Sequence, residues 1–172
     1  MVKKNKGTVF IVSMVSIGVV LALAIMGIFI FRDQPNYTKL NKDQAAIKLN
    51  SDEDFLLVLS RDWCVYCQQY KENTLKTYKG DLPVYILEVV PEFFDRHNPT
   101  YGNQGQRLED QEEFLSFLMD NGLEELAVWI LKENGGIFPS PTTVLIRKGE
   151  LVSFTSGYMT KEKLDQFLRE NR

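Results

Sequence analysis

The sequence predicts an α/β domain, a central sheet of mixed strand direction flanked by helices, carried behind an apolar N-terminal segment. Three observations lead there. An apolar run at residues 55–59 is followed by Cys64-Val65-Tyr66-Cys67 and a helix-compatible stretch, and a second strand-like run follows that stretch. Strands separated by one helix argue for a parallel pair. Near the C-terminus two more strand-like runs flank Lys148-Gly149-Glu150, a hairpin signal, and an amphipathic stretch closes the chain.

The 172 residues, 44% apolar and 25% charged, suit one domain with an appendage. Residues 9–31 are 23 positions without a charge, preceded by Lys3, Lys4 and Lys6 and followed by Arg32-Asp33. As a helix this run spans about 35 Å, enough for a hydrocarbon core of about 30 Å. Lysines ahead of it predict residues 1–8 in the cytoplasm, a transmembrane anchor at 9–31, a tether at 32–37 and an extracytoplasmic domain at 38–172. Ala22-Leu23-Ala24 resembles a signal-peptidase site and keeps a cleaved leader as the competing reading, but apolar residues continue for seven positions beyond it, longer than a typical leader's apolar region, which favours the anchor. The first 32 residues hold four basic and no acidic side chains, so the remainder carries a net charge of −7. An acidic outer domain is a poor ligand for nucleic acid or anionic lipid.

In chain order, Asn41 caps a short helix to about Leu49, with Gln44 three residues on and Leu40 near Ala45 as a staple. Residues 55–60 read as a strand buried on both faces. A helix over 65–79 ends at Gly80, and the next strand covers 82–90. Between Pro91 and the last two strands lie about 50 residues, where a crossover needs only about 10 to 12. Acidic residues 109–113 open a helix that Asn121-Gly122 stops, and 123–132 form another, stopped by Asn134-Gly135-Gly136. This helical insertion at about 91–138 packs its Phe and Leu residues on the sheet or serves as a substrate lid. His97, in its polar loop, has no assigned role. Strands at 142–147 and 151–155 form the hairpin. Thr160 opens the last helix in capping-box-like order, with Leu164, Phe167 and Leu168 on one face.

Cys64 and Cys67 are the only cysteines. At a helix start the first sulfur lies over unsatisfied backbone N–H groups, which favours a thiolate, and the second is one turn away, in reach of a mixed disulfide. A structural zinc site wants four ligands, and the chain adds one histidine and no second cysteine pair. A static disulfide across two residues gains little chain-entropy stabilisation.

Trp63-Cys64-Val65-Tyr66-Cys67 after a buried strand, Ser140-Pro141-Thr142 before another, the Lys148-Gly149-Glu150 turn and the closing helix together resemble the thioredoxin superfamily over most of residues 38–172. The resemblance implies a thioredoxin-like fold and a thiol-disulfide oxidoreductase with no cofactor and no metal. Cys64 is then the attacking thiolate and Cys67 the resolving thiol. Trp63, Val65 and Tyr66 belong to the substrate surface, and Ser140-Pro141 clamps substrate backbone through a cis peptide, where Ser-Pro-Thr alone reads as an ordinary trans turn. Family members with a buried proton-accepting acid carry it at the position of Val58, which leaves water or another group, such as Glu88, to serve Cys67. Val65-Tyr66 matches neither the Gly-Pro of reducing members nor the Pro-His of strong oxidases, so electron direction stays open. The layout is also similar to the bacteriocin transport accessory proteins of Gram-positive bacteria. The partners implied are exported protein or peptide thiols and disulfides and a membrane redox partner, with no nucleic acid. The rival is a non-enzymatic thioredoxin scaffold that binds a membrane or secretion partner.

Overall fold

The computed structural model describes residues 35–93 and 112–172. The expected anchor, His97 and the polar loop around it lie outside those residues. Pro35–Arg172 form one compact unit. Among the described residues no helix is long and apolar enough to cross a membrane.

Five strands, β1 (Thr38–Leu40), β2 (Phe55–Arg61), β3 (Val84–Glu88), β4 (Thr142–Arg147) and β5 (Glu150–Ser156), form one sheet in the order β1-β3-β2-β4-β5. β1, β3 and β2 run parallel, while β4 is antiparallel to both β2 and β5. The mixed sheet expected from the parallel pair and the hairpin is therefore present. β1 is an addition. Its three residues are too few to show a period of two, and it exists because β3 offers it an open edge.

Alternation along β2 assigns its side chains to two cores. Phe55, Leu57 and Leu59 pack with α1 (Lys42–Leu49), α3 (Glu112–Asp120) and α4 (Glu124–Lys132). Leu56 and Val58 pack beneath Tyr70 of α2 (Val65–Asn73) and Leu164 and Phe167 of α5 (Lys161–Glu170). Burial on both faces explains why residues 55–60 read as a continuous apolar run. α3 and α4 send Phe114, Phe117, Leu118, Leu126 and Ile130 into the first core. The described part of the insertion is thus a packed layer of the domain.

Local signals account for most boundaries. Asn41 and Gln44 form the expected capping box on α1, each side chain bonded to the other's backbone N–H. Gly122, at φ 77°, ends α3, and the Leu123 N–H returns to the Leu118 carbonyl at 2.8 Å. Three expectations need correction. The strand expected over 82–90 spans only Val84–Glu88 and gives way to a short helical turn, Val89–Glu92. The helix expected over 65–79 stops at Asn73 and continues as a 3-10 turn, Leu75–Thr77. Thr74 is buried at that break, and its hydroxyl donates to the Met159 carbonyl at 2.7 Å, a long-range bond invisible to local pattern. At α5, Thr160 caps the Lys163 N–H, but the third helical position is Lys163 itself, so no capping box closes.

Candidate active site

β2 ends at Arg61 and the chain turns through Asp62 and Trp63 into α2, with Cys64 as its N-cap. The Cys64 sulfur accepts the Cys67 N–H at 3.1 Å. It is also placed to donate to the Ser140 carbonyl at 3.5 Å, across 76 positions of sequence. Ser140–Pro141 is a cis peptide, as the resemblance implied, and Pro141 is buried. Both cysteines are free thiols in this structure.

The two sulfurs occupy different surroundings. Cys64 is partly exposed while Cys67 is 1% exposed. Burial pushes the Cys67 thiol up from 9.0 to about 11; a hydrogen bond with the Arg61 backbone opposes that rise and Cys64 adds to it. Around Cys64 the exposed side chains are Trp63, Val65 and Tyr66, the last two about two-thirds exposed. Ile137, also exposed, lies on the segment leading to Ser140. An accessible sulfur on an apolar rim, backed by a neutral buried thiol, is arranged for attack on a disulfide followed by closure of the pair. Trp63, Cys64, Val65, Tyr66, Ser140 and Pro141 all fall at this one end of the sheet.

Two residues of this end were not singled out by sequence. Arg61 donates to the Phe138 carbonyl at 2.7 Å and its guanidinium lies over the Phe138 ring at 5.3 Å, fastening the Ser140 loop to the end of β2. Lys71 is 4% exposed and pairs with Glu88 at 2.8 Å. The available signal for Lys71 was its place four residues after Cys67, on the helix face that also holds Tyr70. Val58, at the position where the resemblance implies an acid in some family members, sits in the apolar core against Ile86 and Thr143. Among the described residues no cluster of histidine, cysteine and carboxylates could hold a metal ion. Two clefts of about 610 and 720 Å³ share Tyr78, Asp81 and Leu82 just ahead of β3, at the end of the sheet opposite the dithiol.

The Thioredoxin-like domain family matches residues 40–172. The chain belongs to that family. Among solved structures, this thioredoxin-like chain is similar to reduced desulfothioredoxin from Desulfovibrio vulgaris Hildenborough, with 13% identity and a TM-score of 0.47, covering 80% of this chain and 99% of that one. It is similar also to a thioredoxin from Nicotiana alata, with 14% identity and a TM-score of 0.46, covering 81% and 96%. Curated proteins gave no match.

Proposed function

We propose that this thioredoxin-like protein is a membrane-anchored, extracytoplasmic thiol-disulfide oxidoreductase acting on exported proteins or peptides. The observation that carries the reading is the Cys64 sulfur: partly exposed at the N-terminus of α2, bonded to the Cys67 N–H and 3.5 Å from the Ser140 carbonyl. Cys64 attacks a substrate disulfide, Cys67 resolves the mixed disulfide, and the electrons pass through the sulfurs without a cofactor. Trp63, Val65 and Tyr66 meet the substrate, while Ser140 and Pro141 offer backbone to an extended segment of it. The run at 9–31 supports the anchor, and a membrane redox partner recycles the dithiol. Likeness in layout to bacteriocin transport accessory proteins makes a secreted, cysteine-containing peptide the narrower substrate.

Insulin reduction and refolding of a scrambled disulfide substrate test the reading. Both should be lost in Cys64→Ala, and Cys67→Ala should accumulate mixed disulfides with its natural substrates. A Cys64→Ala protein equal to the parent in both assays would leave a binding scaffold in place of an enzyme.

A further inference from the structure

On the sheet face that α2 covers, apolar side chains give way to polar ones at the end nearest the dithiol. Leu56 and Val58 of β2, with Val84 and Ile86 of β3, belong to the core beneath α2. Two residues further along each strand, the same face carries Ser60 and Glu88, which are register partners. Lys71 of α2 reaches this pair, and Cys67 lies one turn before it on the same helix, hydrogen-bonded to the backbone of Arg61 beside Ser60. Lys71 Nζ donates to Glu88 Oε1 at 2.8 Å. Glu88 Oε2 and the Ser60 hydroxyl are buried and find no hydrogen-bond partner among the described residues. Buried polar atoms left open in this way cost stability, and they gather where a site has work for them. Ionisable chemistry has thus moved one register pair along from Val58 and Ile86, toward the cysteines.

Building on the exchange reaction proposed above, we propose that Glu88, held by Lys71 and flanked by Ser60, accepts the proton of Cys67 during resolution of the mixed disulfide. Cys67 gives its proton to the Glu88 carboxylate and attacks the Cys64 sulfur. The Cys64–Cys67 bond forms, the bond from Cys64 to the substrate sulfur breaks, and the substrate leaves as a thiolate with the electron pair. The protein dithiol is thereby oxidised and the substrate disulfide reduced by the same two electrons. Among the described residues, Lys71 on α2, Lys39 on β1 and the Tyr37 phenol ahead of β1 face Glu88.

Stopped-flow reaction with 5,5′-dithiobis(2-nitrobenzoate) separates the steps, because the first thionitrobenzoate release reports Cys64 and the second reports Cys67. Glu88→Gln should keep the first release and slow the second about tenfold or more near pH 7. The deficit should close at alkaline pH, where Cys67 ionises without help. Lys71→Met/Glu88→Gln removes both charges together, avoids an unpaired buried ammonium, and should show the same deficit. It decides the matter if Glu88→Gln does not fold. Variants that match the parent's second release and its pH profile overturn the role of Glu88 alone. A parent that gives no second release overturns the exchange reaction and this role with it.

Discussion

At Cys64 and Cys67, two atoms of one element differ by their distance from water. With burial holding the Cys67 thiol up at about 11, it stays protonated at pH 7. Iodoacetamide at neutral pH should therefore label Cys64 and spare Cys67, as peptide mass spectrometry would read. The same shift links to stability. The unfolded thiol gives up its proton near 9 and the folded one only near 11, so the unfolded state binds fewer protons in between. Reduced protein should lose stability as pH rises through that window, and Cys67→Ala should flatten the loss in denaturant titrations. Arg61→Met removes the bond and the stacking that fasten the Phe138 segment. It should cost about 1.5–3 kcal/mol and raise KM for a peptide disulfide more than it lowers kcat.

Among the elements, those with strong local signals were legible in sequence, and those decided by a neighbour were not. The strand at 55–60, the box at Asn41 and Gln44 and the glycine stop at Gly122 follow from local rules. β1 and the early end of α2 depend on an open sheet edge and on the Met159 carbonyl, both distant in sequence. α3 shows what its layer contributes. Phe114 is fully buried, with ring centroids 5.2 Å from Phe93 and 5.0 Å from Phe138. Phe114→Ala should cost about 3–5 kcal/mol in urea unfolding, where a loosely held lid helix would lose well under 1. The hairpin offers a second check. Lys148 and Gly149 both take positive φ, and a Cβ on Gly149 would lie 3.2 Å from the Ser51 carbonyl. Gly149→Ala should destabilise by about 1 kcal/mol or more.

For the whole molecule, the compact unit Pro35–Arg172 has two cores of its own. Deleting residues 1–34 should leave cooperative unfolding with a stability within about 1 kcal/mol of the parent, measured by urea titration. The full chain should stay with membranes through alkaline carbonate extraction while the deletion variant is released, and release of both would remove the proposed anchor. The sequence by itself determined the strand-dithiol-helix order, the mixed sheet and the residues around Cys64, because those depend on hydrophobic period, turn chemistry and spacing along the chain. Only the tertiary structure decided that Ser140 stands over Cys64, that Arg61 fastens Phe138 and that Lys71 and Glu88 pair behind Cys67. Those groups lie far apart along the chain, and only the folded sheet with α2 laid across it brings them within hydrogen-bonding distance.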